Sequence, residues 1–347
     1  MEIKELGELG LIKRLAGQFT PGHPRVVKGI GDDASVTIQD DSQYLLCTTD
    51  TLVEDIHFSL QYTPSYNLGR KAVSISLSDI AAMGGTPKFL FTSIILPPAT
   101  STDFINLLYK GIKEMALEFD VALIGGNTSS SPDKIIINTT ILGEVPKDQV
   151  VFRKGASVGN MIYVTGRLGD SGLGLTMLKE SQKSKVKSLP LQAVSRGQNL
   201  KNKAILKHID PLPRVLEGRE LAKKKLATSM IDISDGLISD LRHIAEESGI
   251  GANIWLKKLP ISAGLKKWLK GHPQYIKLAL SGGEDYELLF TVPKGNAAKI
   301  EALSMKLGIP MTHIGEIVPK RCGITVLDEK GDIFHLADEG FEHFKTD

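Results

Sequence analysis

The sequence predicts a mixed α/β (α+β) protein of two domains, on three observations. The chain has 347 residues, beyond the roughly 250 to 300 at which single cores stop growing. Short apolar runs closed by proline or polar residues are mixed with amphipathic helices, without the regular spacing of about 30 residues that marks a simple parallel sheet. A polar, turn-rich stretch, PKDQVVFRKGASVGN, interrupts the pattern after Val145, so the expected domains are 1–148 and 149–347.

Taken in order, Leu6, Leu9, Ile12, Leu15 and Ala16 recur at helical spacing and predict a first helix over 6–19. SQYLLCTTD and PKFLFTSIILPP read as buried strands. Between them YNLGRKAVSISLSDIAAMGG is long, rich in small residues and stopped by Gly84 and Gly85, which suits a closely packed helix. DFINLLYKGIKEMALEF repeats apolar residues at three and four, with Ser101 or Thr102 as its cap. VALIGG and DKIIINTTILGEV are strands again. Beyond the connection come the strand MIYVTG, a basic segment of low apolar density at 180–205 that reads as an exposed loop, the helix RVLEGRELAKKKL, the strand SMIDIS, the helix GLISDLRHIAEES and the strand YELLFTV.

Bulk properties remove several function classes. Hydrophobic residues make up 41% and charged residues 24%, with a net charge of +2, so nothing argues for nucleic acid as a partner. Cys47 and Cys322 stand in no C-x-x-C or zinc spacing, which argues against a disulfide framework and for a reducing cytoplasm. The N-terminus opens acidic without a sustained apolar stretch, and no apolar run approaches 18 residues, so neither an export signal nor a membrane span is expected.

The stretch KGIGDDASV, Lys28 to Val36, fits G-x-G-x-x-A, yet Asp32 and Asp33 stand where a dinucleotide fold would need bare N–H groups facing phosphate. Further polar clusters fall at the ends of elements: TTDT at 48–51, Ser78 with Asp79, GGNTSSS at 125–131, DISDG at 232–236 and GGEDYE at 282–287. Singly, each reads as a turn or a cap. Brought into one cleft, carboxylates repel by about 4 kcal/mol for a pair 4 Å apart at an effective dielectric near 20. Oxygen donors from Asp, Thr and Ser suit Mg²⁺ rather than zinc, and Mg²⁺ is commonly shared with substrate phosphates. Neither a P-loop nor a protein-kinase motif set is present. The residues therefore point to a Mg²⁺-dependent enzyme acting on a phosphate compound.

The ordered series GIGDDA, TTDTLVEDIHF, SLSDIAAMGGTP, LIGGNTS, DISDGLISDL and LSGGEDYELLF resembles the thiamine-monophosphate kinases, within the superfamily that contains aminoimidazole-ribonucleotide synthetase. The likeness runs from about Leu6 to Phe344. It implies a two-domain aminoimidazole-ribonucleotide synthetase-like fold whose N-terminal sheets pair across a homodimer, with a C-terminal α/β domain. It also implies transfer of the ATP γ-phosphoryl group onto the phosphate of thiamine monophosphate. By position, the resemblance makes Asp33, Thr48, Thr49, Asp50 and Asp79 the main magnesium ligands, joined by Asp232 and Asp235 from the second domain. It places Tyr109, Gly126, Arg153 and Ser234 against ATP, and His57, Glu284 and Phe341 against thiamine phosphate. Asn127 stands in GGNTS where the family has Asp, so it would bring an amide oxygen without a charge to metal and ATP.

Direct transfer needs no general base, because the accepting phosphate is already ionised. Each cysteine lies outside any nucleophile-like context, and no Ser-His-Asp series stands out. Selenophosphate synthetase is a poor alternative, since no cysteine lies near the N-terminal glycine-rich stretch. An aminoimidazole-ribonucleotide synthetase shares ATP and Mg²⁺, but TDTLVEDIHF and the C-terminal GFEHF match the kinases more closely. A dimeric nucleotide-binding scaffold without turnover is the alternative from another class.

Overall fold

The computed structural model describes residues 2–19, 22–183, 200–335 and 343–344. In chain order the first half runs α1 (Ile3–Ala16), β1 (Val26–Lys28), β2 (Ser35–Ile38), β3 (Gln43–Val53), α2 (Ser65–Ala82), β4 (Thr86–Leu96), α3 (Thr102–Glu118), β5 (Ala122–Ser130) and β6 (Ile136–Pro146). The second half adds β7 (Met161–Thr165), α4 (Asp170–Lys183), α5 (Leu200–Ile209), α6 (Val215–Lys223), β8 (Ser229–Asp232), α7 (Leu237–Ser248) and β9 (Ile250–Trp255). It closes with α8 (Ala263–Leu269), α9 (Leu278–Ser281), β10 (Leu288–Val292), α10 (Ala297–Leu307), β11 (Met311–Pro319) and β12 (Ile324–Leu327).

Two six-stranded sheets organise these elements, in the orders β1-β2-β3-β6-β4-β5 and β12-β9-β11-β7-β10-β8. Within each sheet one pair is parallel, β4 with β5 and β12 with β9. The β4–α3–β5 crossover explains the first of these, because a parallel return requires a long connection.

Helix α2 lies between the sheets. Nearly its whole length is buried, from Asn67 to Ser78 and again from Ile80 to Ala82. Such all-round burial demands small residues, and glycines supply the closest approaches. A Cβ on Gly69 would fall 2.0 Å from the Leu108 carbonyl of α3, and one on Gly111 would fall 2.0 Å from that of Tyr66. The main core runs from β3 and β6 through α2 to Met161, Tyr163 and Phe290 on one face of the second sheet. Ile162, Val164 and Leu289 point to the other face, under α7, α8 and α9. Alternate residues of β7 thus enter two cores, so its strand is buried throughout rather than alternating.

Several expectations need revision. The first helix begins three residues earlier than its apolar pattern suggested and is kinked at Gly7, φ 65°. The segment expected as a loop over 180–205 is helical at both ends, to Lys183 and from Leu200, while 184–199 lies outside the described residues. The VALIGG strand continues through Asn127 to Ser130 as a fully exposed edge. Ser101, not Thr102, caps α3, its hydroxyl accepting the Phe104 N–H at 3.2 Å.

Candidate active site

The acidic motifs converge where α2, β3, the β1–β2 turn and the end of β8 meet. The period of two along β3 turns Thr48 and Asp50 toward α2 and Thr49 toward the opposite face. Thr48 Oγ1 donates to Asp79, and Ser76 Oγ donates to Asp50 Oδ2 at 2.7 Å. Gly31, at φ 111°, lies in the β1–β2 turn that carries Asp33 to the cleft. Asp232 arrives as the last residue of β8. One carboxylate oxygen from each of Asp33, Asp79 and Asp232 lies within 4.8 Å of the others.

Burial and mutual repulsion dominate the electrostatics. Burial, then Asp33, pushes Asp232 up to about 8. Burial, then Asp50, Asp232 and Asp33, holds Asp79 well above the usual carboxylate range, and burial raises Asp50 and Asp33. The nearby positive charge belongs to Arg153, whose guanidinium donates to Asp33 Oδ1 at 2.7 and 3.2 Å. Its backbone N–H donates to Asp32 Oδ1 at 3.2 Å, and burial, then Asp33, pushes Asp32 up to about 7. Asp33 Oδ2 and Asp232 Oδ2 are buried without a hydrogen-bond partner among the described residues. Unpartnered carboxylate oxygens on two members of one tight cluster fit a divalent cation with oxygen ligands.

A second group of expected residues lies elsewhere on the same sheet. Tyr109, Gly126 and Asn127 line a cavity of 420 Å³ with Thr92, Leu123, Gly125 and Thr128. The Thr92 hydroxyl there is buried without a hydrogen-bond partner among the described residues, and a Cβ on Gly126 would sit 1.9 Å from the Thr92 carbonyl. Pairing puts Asp50, Thr139, Thr92 and Gly126 in one row across β3, β6, β4 and β5. Within a single chain, two strand spacings, about 10 Å, therefore separate Asp50 from Thr92 at the near wall of the cavity, and three, about 14 Å, separate it from Gly126.

His57 follows β3, with Nδ1 accepting the Val53 N–H at 3.0 Å and Nε2 3.3 Å from Nε2 of His343. Glu284 has left-handed backbone, φ 63°, and its N–H donates to the Ser234 carbonyl at 2.7 Å. Asp235 shares a second cluster with Asp240 and His243, ligand atoms again within 4.8 Å. Thr49 is not brought to the carboxylates: its hydroxyl meets Thr140 Oγ1 at 3.0 Å on the far face. Phe341 lies outside the described residues.

Sequence reasoning missed Ser76, Lys71, His208 and Asp240. Lys71 could have been found, since it stands two helical turns before Ser78, beside Arg70, in the first half of a helix whose remaining length is mostly small or apolar. His208 carries no such signal, because only the tertiary fold brings it near the cleft, whereas Asp240 stands inside the DISDGLISDL series and could have been singled out there.

Comparisons with known proteins agree with this geometry. Residues 31–145 match the N-terminal domain of AIR synthase related proteins, and residues 157–327 match their C-terminal domain. The chain is 38% identical to a thiamine-monophosphate kinase of Buchnera aphidicola, covering 92% of this chain and 93% of that one. It is 36% identical to the enzyme of that name from Escherichia coli K12, covering 98% and 99%. A solved structure, AaThiL complexed with AMPPCP and TMP, superposes with a TM-score of 0.82 at 33% identity, covering 99% of each chain. Convergent motifs, two matched domains and nearly full-length likeness leave one assignment: the chain belongs to the thiamine-monophosphate kinase family.

Proposed function

We propose that this chain transfers the γ-phosphoryl group of ATP to the phosphate of thiamine monophosphate, forming thiamine diphosphate and ADP. The observation that carries the chemistry is the Asp33, Asp79 and Asp232 cluster with its unpartnered buried oxygens. Mg²⁺ bound there would neutralise phosphate charge and favour an in-line approach. Asp33, Asp79, Asp232, Asp50 and Thr48 would hold it, with Asp235 beside them. Ser76 fixes the Asp50 carboxylate, and Arg153 prevents Asp33 from turning away. No side chain needs to act as a base, since the accepting phosphate is ionised. Purified protein given ATP, Mg²⁺ and thiamine monophosphate should form ADP and thiamine diphosphate in equal amounts. ADP release indifferent to thiamine monophosphate, or ATP binding without turnover, would refute the reading.

A homodimer belongs to the same proposal. On β4 the side chains of Phe89 and Phe91 remain 42% and 37% exposed, and β5 is an uncharged, proline-free edge with Leu123 and Ile124 also exposed. Such an edge is normally paired or covered. Pairing of two N-terminal sheets would cover this face and set the Tyr109–Gly126–Asn127 cavity of one chain near the acidic cluster of its partner, bringing close a Gly126 wall that lies about 14 Å from Asp50 within one chain. The division at 148/149 fits, with one sheet closing at Pro146 and the other opening at Met161. Phe89→Asp together with Phe91→Asp should yield a monomer by light scattering and lower turnover at least tenfold. A dimer retained by that variant would place the interface elsewhere.

Proton competition gives a further expected outcome. The folded pKa values of Asp232 and its neighbours lie above their unfolded values. Their contribution to stability is therefore complete below about pH 4 and is lost as pH rises through about 8. A cation opposes that loss by binding the ionised form. Saturating Mg²⁺ should raise Tm by about 5 °C at pH 8 and by much less at pH 5.5. An equal rise at both would separate cation binding from these carboxylates.

A further inference from the structure

Glu284 differs from the other carboxylates of the cleft because both its oxygens are engaged by donors. Oε1 lies 2.6 Å from the Lys71 ammonium and Oε2 lies 3.0 Å from His208 Nδ1. Against the upward push of burial, Lys71 and then His208 hold the carboxyl below its usual range. Burial, then Lys71, lowers His208, which is therefore a neutral imidazole at pH 7, its Nδ1 also 3.1 Å from Ser171 Oγ. Lys71 Nζ additionally approaches the His57 carbonyl at 3.5 Å. The three side chains together carry one positive and one negative charge. Of the three, only Glu284 has appreciable exposure, 25% against 1% for Lys71 and 4% for His208.

Its position adjoins the reacting end of the cleft. A Cβ on the preceding Gly283 would fall 2.4 Å from the Ser234 carbonyl and 3.3 Å from the Asp235 backbone. A molecule whose phosphate reached the acidic cluster would present its ring end to this region. Thiamine monophosphate offers two distinct features there, a permanently cationic thiazolium and a neutral pyrimidine bearing an amino group.

Resting on the activity proposed above, we infer that Lys71, Glu284 and His208 form a charge-neutral unit that reads the amino group and gives no recognition to the thiazolium charge. Lys71 already matches the Glu284 charge and repels a second cation at the same carboxylate. The carboxylate lone pairs left over still accept an N–H donor. An oxo group in place of the amino group would set acceptor against acceptor in a buried place, the arrangement that polar sites reject most strongly. Lys71 is thus a specificity-determining residue acting through Glu284.

Wild-type enzyme should be compared on three substrates: thiamine monophosphate, its 4-oxo pyrimidine analogue, and the analogue with a neutral thiophene in place of the thiazolium. The inference expects kcat/KM to fall at least 100-fold for the oxo analogue and less than fivefold for the neutral-ring analogue. Any other ordering overturns it. A wild type that releases no ADP with thiamine monophosphate would defeat the proposed activity and this inference together; turnover with the reverse analogue order defeats the inference alone. The paired variant Lys71→Met with Glu284→Gln keeps the unit neutral and offers a carboxamide that both accepts and donates. Its preference for amino over oxo substrate should shrink below tenfold, and an undiminished preference would also overturn the assignment.

Discussion

Asp79→Asn is expected to reduce turnover by on the order of 10³-fold while making the cation-free protein more stable. Asp79 is pushed well above the carboxylate range by burial and by Asp50, Asp232 and Asp33. An amide removes its share of that repulsion and still accepts the Thr48 hydroxyl bond. Relief of about 1 kcal/mol corresponds to a Tm higher by about 2 to 4 °C in EDTA at pH 8. With Mg²⁺ the order should reverse, because the variant has lost a charged ligand. Scanning calorimetry with and without the cation, beside an ADP assay, checks both halves. A variant less stable than wild type in EDTA, or active within tenfold, would contradict the role given to Asp79.

Arg153→Met should have the opposite effect on stability. Its guanidinium holds Asp33 at 2.7 Å and is itself driven above its ordinary pKa by Asp33, Asp32 and Asp232 once burial is overcome. Removing one member of a largely buried pair costs about 3 to 5 kcal/mol, because the partner charge is left uncompensated. The deficit should be largest at pH 8 and smallest near pH 5, where the neighbouring carboxyls are protonated and need no counter-charge. Added Mg²⁺ should recover part of it at pH 8. Urea titrations at the two pH values measure this directly, and a deficit independent of pH would show that Arg153 acts by packing rather than by charge.

The elements that build the cleft were legible because each follows a local rule. Strands closed by proline and a glycine-stopped helix of small residues are visible in PKFLFTSIILPP and in SLSDIAAMGG without any tertiary knowledge. The carboxylates were legible for another reason: Asp33 lies in a glycine-rich turn and Asp232 ends its strand, while Asp50 and Asp79 stand three residues inside the ends of β3 and α2, where an acid interrupts an otherwise regular pattern. Short strands were not legible. Val26–Lys28 and Ser35–Ile38 flank the glycine-rich turn but are too short to show a period. The direction of Thr49 depends on which face of β3 meets α2, and a one-residue change of register would exchange it with Asp50. The pairing of Arg153 with Asp33 spans 120 residues, and no spacing rule reaches across two domains. Lys71, Glu284 and His208 meet for the same reason, through three elements that only the packed fold brings together.

The central claim is that Asp33, Asp79 and Asp232 hold the cation on which phosphoryl transfer depends. Crystals grown with Mn²⁺ and a non-hydrolysable ATP analogue would test it by anomalous scattering. The account predicts a peak bounded by the Asp33, Asp79 and Asp232 carboxylates, of which Asp33 Oδ2 and Asp232 Oδ2 lack a partner among the described residues. Manganese bound only elsewhere, with these three carboxylates unchanged and free of metal, would contradict it.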